Sequence, residues 1–218
     1  MDAAIPESAQ QLLSLASEKS LTEVVLYYWL GRWPQPNEQQ LLEEMMIIAV
    51  DHRSAAPSAA ATMAAANEGQ NVVRSVEAGI GEINDSHGGA IEGCAVILQS
   101  DTFDAATIVA TALETGRRLP GFGHRLYKQE DPRAVYLADR ASELGFSTSY
   151  LDRAREIEAE LEHQKGKKLI LNVDGAMAAV LSELGVEPRL MNAFFLWPRV
   201  AGLVSRWQEA VQERKTAQ

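Results

Sequence analysis

Apolar residues recur at helical spacing along almost the whole chain, and this periodicity constrains the fold most. Ser20 and Glu23 have the spacing of a capping box, and the apolar segment that follows them ends at Gly31. Asn37 begins a second segment with apolar residues at helical spacing. Further helices are predicted over the alanine-rich segments 55–66 and 105–112, and over 71–83, 89–98, 133–144, 149–165, 175–184 and 189–213.

One short segment has the pattern of a strand. Residues 168–173 read KLILNV, but the segment is solitary, and an isolated strand has no partner with which to pair. The chain shows no low-complexity linker and no repeat of fixed period, so it offers no clean domain boundary. We therefore expect an all-α fold with fewer than about a tenth of its residues in strands.

The composition narrows the class of function. Hydrophobic residues make up 46% of the 218 residues and charged residues 23%, which is ordinary for a soluble globular protein. The 20 Lys and Arg against 30 Asp and Glu give a net charge of −10. Such a field repels nucleic acid, so we expect no nucleic-acid partner. An anionic substrate would need a local cluster of positive groups.

The cysteine content and the terminus indicate the compartment. Cys94 is the one cysteine, which fits a reducing compartment, and a small core residue is the simpler interpretation of it than a reactive thiol. The N-terminus lacks the basic start and the apolar stretch of a signal peptide. The longest apolar run, 24–30, is shorter than the roughly 20 residues that a membrane span needs. We expect a cytoplasmic protein without a membrane partner.

Glycine and proline gather at three places, each beside a histidine or an aspartate. His87 precedes two glycines and a predicted helix, whose positive N-terminal end would disfavour the imidazolium. A neutral imidazole can donate a hydrogen bond to an enolate oxygen. His124 lies in GFGHR, and Asp174 follows an apolar run that would bury it and raise its pKa. Each has a simpler alternative, since the histidines can be structural and Asp174 can cap a helix.

Four motifs together resemble one family. SHGGA at 86–90, GFGHRLYKQEDPRA at 121–134 and NVDG at 172–175 resemble, in that order along the chain, segments of the citrate synthase superfamily, and the GFGHR…DPR element is highly specific. VDHR at 50–53 also resembles the Asp-His segment of this family. The resemblance extends from roughly residue 21 to residue 206. It implies a two-lobed helical fold in which the large lobe is about 1–90 with 186–218. The small, mobile lobe would be about 91–185 and would close over the substrate.

The resemblance implies a role for each matching residue. His87 would stabilise the enolate of an acetyl thioester, His124 would exchange a proton with the oxygen on the reacting carbon of oxaloacetate, and Asp174 would move the proton of the acetyl methyl. The remaining residues would bind substrate: His52, Arg133 and Arg199 the dicarboxylate or citryl group, and Pro120, Gly121, Phe122, Gly123 and Lys128 coenzyme A. No metal and no permanent cofactor is implied, because the coenzyme A thioester is itself a substrate.

The resemblance leaves the direction of the reaction open. Synthases of the family have Asn where this chain has Ile91, an aromatic residue where it has Gly175, and a further substrate arginine near their end, for which Arg214 is a doubtful substitute. The short length and LILNVDG look more like citryl-CoA lyases. Cleavage of citryl-CoA to acetyl-CoA and oxaloacetate is therefore favoured. The alternatives are a citrate or 2-methylcitrate synthase and a non-catalytic subunit that binds coenzyme A or a partner enzyme.

The resemblance also predicts assembly. MNAFFLWPRVAGLVSRW at 191–207 concentrates large apolar side chains, and the family associates through helices, so we expect a homodimer or a larger homo-oligomer. An enzyme that forms citryl-CoA is a possible partner under the lyase interpretation. Arg133 and Arg199 could instead be solvated surface residues, and His163 is expected to be an exposed helix residue without a role.

Overall fold

The computed structural model describes residues 8–51, 53–84 and 87–216. Within these ranges there is no strand, and the β-type pairing is limited to isolated bridges such as the one between Phe122 and Leu171. The prediction of an all-α fold is confirmed. The helices are α1 (Ala9–Glu18), α2 (Leu21–Leu30), α3 (Pro36–Ala49), α4 (Pro57–Asn67), α5 (Val72–Gly81), α6 (Ala90–Leu98), α7 (Ala105–Thr115), α8 (Pro132–Glu143), α9 (Ser149–Lys165), α10 (Val173–Glu183), α11 (Pro188–Met191) and α12 (Ala193–Thr216).

Local side-chain caps explain where several helices begin. The predicted capping box of Ser20 and Glu23 is present at α2, and Gly31 ends that helix in the left-handed conformation. A second capping box, formed by Ser8 and Gln11, starts α1. The sequence analysis did not predict α1, although the Ser-x-x-Gln spacing is the same signal.

Other boundaries differ from the prediction. The segment 168–173 forms one bridge rather than a strand, and α10 already begins at Val173, because the Asn172 side chain accepts a hydrogen bond from the Gly175 N–H. Helix α3 begins at Pro36, so Asn37 lies inside its first turn. The predicted helix over 189–213 is two helices, α11 and α12.

The chain divides into two compact units, one ending at Glu44 and the other beginning at Met45. In the first unit, the guanidinium of Arg32 forms two hydrogen bonds of 2.6 and 2.7 Å with the Glu38 carboxylate, which also accepts from the Gln35 N–H at 2.8 Å. These bonds fix the connection between α2 and α3. The predicted lobe limits near residues 90 and 185 stay a prediction.

Helix α10 is the centre of the second unit. Nine of its eleven residues are buried, and it packs against α6, α8 and α9. On the other side of this unit, α12 packs against α4 and α5. A Cβ built on Gly202 of α12 would overlap the carbonyl oxygen of Val50. The glycine therefore allows α12 to approach the end of α3 closely.

The apolar segment at 191–207 has two kinds of side chains. Phe194 and Phe195 are buried within the chain itself, whereas Leu196 and Val204 are exposed. The homo-oligomer thus stays a prediction. Among the helices of the described ranges, none combines the length and apolar character needed to cross a membrane.

The contact at Gly202 generates a test of the fold. We expect Gly202→Ala to lower the free energy of unfolding by about 1–3 kcal/mol, because the new methyl group must displace the backbone at Val50. Gly81→Ala is the matched control, since a Cβ at this helical glycine meets open space. It should leave stability unchanged or raise it by up to about 1 kcal/mol. Urea unfolding measures the free energy of unfolding of both variants. Equal values for the two would contradict the packing of Gly202 against Val50.

Candidate active site

The site is built where the loop of the GFGHR motif meets the start of α10. Gly121 and Gly123 have φ values of +85° and +84°, which side-chain-bearing residues rarely adopt. The Gly123 N–H donates to the Ile170 carbonyl oxygen at 2.7 Å, and the Asn172 N–H donates to the Gly121 carbonyl oxygen at 3.0 Å. The Asn172 side-chain amide donates to the Gly123 carbonyl oxygen at 2.9 Å. The residues that precede α10 therefore hold the loop through its backbone.

Two glycines set the distance between the loop and α10. A Cβ on Gly175 would lie 2.5 Å from the Gly121 carbonyl oxygen, and a Cβ on Gly121 would lie 2.6 Å from the sulfur of Cys94. Only glycine fits at both positions. Cys94 itself is buried, and burial together with the charge of Asp174 raises the pKa of its thiol to about 12. The cysteine is therefore a core residue and not a nucleophile.

Asp174, in the first turn of α10, is a carboxyl group poised to exchange a proton. Dense protein surroundings raise its pKa to about 6, although the nearby Arg133 cation and a hydrogen bond from the Gly88 backbone act in the opposite direction. The sequence predicted this raised pKa. The bond to Gly88 also places the carboxyl next to the residue that follows His87.

His87 is held as a neutral imidazole. Its Nε2 lies 2.8 Å from the Ser58 hydroxyl oxygen and accepts from the Ser58 backbone N–H at 3.4 Å. Since a backbone N–H can only donate, Nε2 is the acceptor and Nδ1 carries the ring proton. Burial is the main cause that lowers the pKa of His87 to about 4, and the charge of Arg199 lowers it further. The sequence analysis expected the N-terminus of the helix after His87, which is α6, to face this ring. The hydrogen bonds of Nε2 are made with Ser58, in the first turn of α4, a helix that the sequence analysis did not connect with His87.

His124 presents the opposite tautomer. Its Nδ1 accepts hydrogen bonds from the backbone N–H groups of Leu126 at 3.2 Å and Tyr127 at 3.0 Å, so the proton of the neutral ring resides on Nε2. Burial lowers the pKa of His124, and the charge of Asp131 opposes this shift. The Nη2 atom of Arg133 lies 3.3 Å from Nε2. The N–H groups of His124 Nε2 and Arg133 Nη2 therefore lie close together. This arrangement suits them to donate to the same acceptor oxygen.

A buried carboxylate orients Arg133. Asp131 is 1% exposed and forms a bidentate pair with this guanidinium, with Nε 2.9 Å from Oδ1 and Nη2 2.8 Å from Oδ2. Such forked pairing fixes the plane of the guanidinium. Arg133 is accordingly not a solvated surface residue, and its remaining N–H groups are available to a second anion.

Arg199 is the most unusual cation of the site. Its side chain is 0% exposed, and Nε, Nη1 and Nη2 have no hydrogen-bond partner among the described residues. The nearest carboxylate oxygen, Oδ1 of Asp51, is 3.7 Å from Nη1, and the Phe195 ring lies against the guanidinium at 4.9 Å. Burial lowers the pKa of Arg199 to about 10. A buried guanidinium without hydrogen bonds is expensive unless an anion binds to it.

The VDHR segment is fixed to α12. Asp51 is bound by the guanidinium of Arg206, which also pairs with Glu209. Arg53 has a φ of +72°, and no other side-chain-bearing residue in the described ranges has a positive φ. The charge of Arg53 helps to lower the pKa of His124, so the segment extends toward the loop. His52, the predicted substrate-binding histidine, lies outside the described residues.

The predicted coenzyme A residues lie in the GFGHR loop or directly beside it. Pro120 and Phe122 are half-buried, and Lys128 donates from Nζ to the carbonyl oxygens of His124 at 3.0 Å and Arg125 at 2.8 Å. Arg214 donates to the carbonyl oxygens of Ala66 at 3.3 Å and Asn67 at 3.4 Å, at the end of α4. These bonds tie Arg214 to its own chain at a helix end rather than to the site.

Electrostatic coupling shows which predicted residues come together. The charge of Arg133 lowers the pKa of His124, of Asp174 and of Arg199. The sequence analysis missed Ser58 and Asp131. Asp131 had a signal, since it stands beside Pro132 where a helix N-cap is expected, but nothing marks Ser58 because it meets His87 from 29 residues away. Within the described residues, no group of three or more potential metal ligands is placed to hold an ion.

The fold is all-helical, the site brings together histidine, carboxyl and arginine side chains, and the comparisons specify the family. The citrate synthase, C-terminal domain family matches residues 3–217, so the chain belongs to the citrate synthase family. The solved citryl-CoA lyase from Hydrogenobacter thermophilus is similar, with a TM-score of 0.84 and 38% identity over 92% of this chain and 79% of that one.

Two curated relatives carry different names. A probable ATP-citrate synthase of Dictyostelium discoideum is 28% identical over 91% of this chain and 34% of its own length. Citrate synthase 2 of Bacillus subtilis is 30% identical over 84% of this chain and 50% of its own length. The chain thus spans a third to a half of the length of these relatives. The comparisons show a citrate synthase-family enzyme without selecting one reaction.

Proposed function

We propose that the chain is a citryl-CoA lyase, which cleaves citryl-CoA to acetyl-CoA and oxaloacetate by a retro-Claisen reaction. One observation carries the chemistry: His87, whose imidazole is neutral, directly precedes Gly88, and the Gly88 backbone hydrogen-bonds to the carboxyl group of Asp174, whose pKa is about 6. This is the pair that formation and protonation of an enolate require. The 38% identity to a solved citryl-CoA lyase supports the direction.

The acetyl half of the substrate would react at His87 and Asp174. As the carbon–carbon bond breaks, the departing carbon becomes the enolate of acetyl-CoA. The Nδ1–H of His87 would donate to the enolate oxygen, because Nε2 accepts from Ser58. Asp174 would enter the reaction with a proton and deliver it to the enolate carbon. The pKa of about 6 suits this carboxyl to proton transfer near neutral pH.

The oxaloacetate half would react at His124. The hydroxyl oxygen of citryl-CoA would lie between Nε2 of His124 and Arg133, the two donors that converge there. Proton exchange at this oxygen must use Nε2, because Nδ1 is occupied by two backbone N–H groups. Those N–H groups and the Arg133 cation stabilise the ring after Nε2 has lost its proton. Cleavage would therefore begin from that form of the ring, which takes up the hydroxyl proton.

The two arginines would bind the carboxylates of the citryl group. Arg199 would gain the hydrogen bonds that it lacks within the described residues. Arg133 would use the N–H groups that Asp131 leaves available. His52 is proposed to join them. Because forked arginine–carboxylate pairing is strong and directional, these contacts would supply the positive site that the acidic chain needs.

The coenzyme A end is proposed to lie along Pro120–Gly123, where the glycine backbone allows close approach, with Lys128 near a phosphate. We further propose a cytoplasmic homo-oligomer, closure of a lobe of about 91–185 over the substrate, and a partner enzyme that supplies citryl-CoA. No permanent cofactor is required, since the thioester is consumed as substrate.

The second candidate is a citrate or 2-methylcitrate synthase-type condensation. The 30% identity to Citrate synthase 2 of Bacillus subtilis favours it. Ile91, which is buried, and Gly175, which has no room for a Cβ beside Gly121, depart from the synthase pattern and favour the lyase. The neutral His87 and the raised pKa of Asp174 favour either enzyme over a non-catalytic subunit.

The direction can be tested with two substrate mixtures. Citryl-CoA alone should be consumed quickly, with acetyl-CoA and oxaloacetate as the products identified by mass spectrometry. Acetyl-CoA with oxaloacetate should release free coenzyme A slowly or not at all, because a lyase does not hydrolyse the thioester. Rapid release of coenzyme A with accumulation of citrate would instead identify a synthase.

The roles of the three reacting side chains can be tested by substitution. His87→Ala should lower kcat for citryl-CoA by about a hundredfold to a thousandfold, through loss of the enolate donor. His124→Ala and Asp174→Asn should lower it by roughly a hundredfold to ten-thousandfold, through loss of proton transfer. His163→Ala is the control, because this residue is exposed near the end of α9, and it should retain full activity. Folded variants with undiminished turnover would refute the assignment.

The raised pKa of Asp174 predicts the pH dependence. Cleavage needs a protonated Asp174 together with a His124 ring that has lost its Nε2 proton, and condensation needs the Asp174 carboxylate together with the neutral ring. Both forms hold one proton between the two groups, and this state predominates above the pKa of Asp174. The kcat/KM values for cleavage and for condensation should therefore rise together as the pH increases through about 6. Rates measured between pH 5 and 8 in both directions check this, and a cleavage profile that is flat across the range would exclude Asp174 as the proton donor.

A further inference from the structure

Asp131 makes more hydrogen bonds than a helix cap requires. It is the N-cap residue of α8, and its carboxylate accepts the capping bond from the Arg133 backbone N–H at 3.1 Å. The same carboxylate accepts from Nε and Nη2 of Arg133 at 2.9 and 2.8 Å. It also accepts from the backbone N–H of Val173 at 3.1 Å, at the start of α10. All four bonds are made by a side chain that is 1% exposed.

Another N-cap aspartate shows what capping alone looks like. Asp104 caps α7 by accepting from the Thr107 backbone N–H at 2.9 Å, and it is solvent-exposed. The hydrogen bonds of its carboxylate are made with Thr107, in the first turn of its own helix. The three additional bonds of Asp131 all lead to residues of the site or to the residue before Asp174.

We propose that Asp131 is a positioning residue that couples the carboxylate-binding Arg133 to the proton-transferring Asp174. The coupling runs through one atom, because Oδ2 accepts both from Nη2 of Arg133 and from the Val173 N–H. The proposal rests on the proposed function, in which Arg133 binds the citryl group and Asp174 delivers a proton. Asp131 touches neither the substrate nor the reacting atoms in this scheme.

The geometry explains how the Asp131 carboxylate can position both Arg133 and Asp174. The bidentate bond fixes the guanidinium plane and aims Nη2 at Nε2 of His124, 3.3 Å away. The bond to Val173 fixes the first residue of α10, and Asp174 is the next. A substrate that binds to Arg133 therefore affects Oδ2 of Asp131, the same oxygen that accepts from the Val173 N–H at the start of α10. The negative charge of Asp131 also raises the pKa of Asp174, while Arg133 lowers it.

Asp131→Asn is the direct test, because the amide keeps the shape and the capping oxygen but removes the charge and at least one acceptor. We expect the KM for citryl-CoA to rise roughly tenfold to a hundredfold, the loss typical of a charged hydrogen bond. The rise of cleavage kcat/KM with pH should have its midpoint at a lower pH than in the wild type. Asp104→Asn, which removes a cap charge outside the site, should change neither the KM nor the pH profile.

Arg133→Gln supplies the opposite perturbation and remains informative if Asp131→Asn does not fold. Removing this cation should move the midpoint of the pH profile of kcat/KM to higher pH, since Arg133 lowers the pKa of Asp174. The double variant should raise the KM no further than Arg133→Gln does, because Asp131 acts on the substrate through Arg133. An unchanged KM and pH profile in Asp131→Asn, or additive effects in the double variant, would overturn the proposal.

A readout without turnover separates this proposal from the proposed function. Carbon-13 NMR of the side-chain carboxyls follows the titration of Asp174 directly, with Asp174→Asn to assign its signal. The midpoint should fall in Asp131→Asn and rise in Arg133→Gln. Wild-type protein that does not cleave citryl-CoA but shows these two shifts would refute the lyase and retain the coupling. If the wild-type protein cleaves citryl-CoA but the midpoint of Asp174 is unchanged in both variants, the coupling is refuted and the lyase is retained.

Discussion

The contact between Gly121 and Gly175 is the constraint on which the site depends. It brings the N-terminus of α10 against a loop whose glycines adopt positive φ values, and it leaves no room for a Cβ on either side. Because α10 is the buried centre of its unit, the loop is fixed to a helix that is buried along almost its whole length. Asp174 then occupies the junction, between the loop of His124 and the Gly88 backbone.

The two arginines of the site are prepared in different ways. Asp131 holds Arg133 by two short bonds, so that little rotational freedom remains to be lost on binding. Arg199 is buried and donates no hydrogen bond to the described residues, and the free-energy cost of this burial would be recovered when an anion binds. In the proposed site, Arg133 would orient the substrate, while Arg199 would favour the bound state. Together they would make an anion site in a chain whose net charge is −10.

The sequence was sufficient for most of the helices and for residues that carry their own signals, and the structure explains where the prediction fell short. The capping box at Ser20 predicted the start of α2, and the apolar run before Asp174 predicted its raised pKa. Ser58 could not be predicted, because only the packing of α4 beside the His87 loop reveals its contact. The segment 168–173 has the pattern of a strand but does not form one, since Asn172 caps α10 and so ends the extended segment. Asn172 also bonds to the loop through its side chain, a tertiary contact that the sequence does not reveal.

The three reacting side chains cannot by themselves encode the direction of the reaction. A catalyst stabilises one transition state for both cleavage and condensation, so in their proposed roles His87, His124 and Asp174 would accelerate the carbon–carbon step equally in each direction. A synthase differs by a further step, in which water attacks the thioester carbon. The selection would therefore be made where the thioester is proposed to lie, between His87 and the loop at Gly121. We infer that residues such as Gly175, which set the approach of α10 to that loop, separate a lyase from a synthase more than the catalytic residues do.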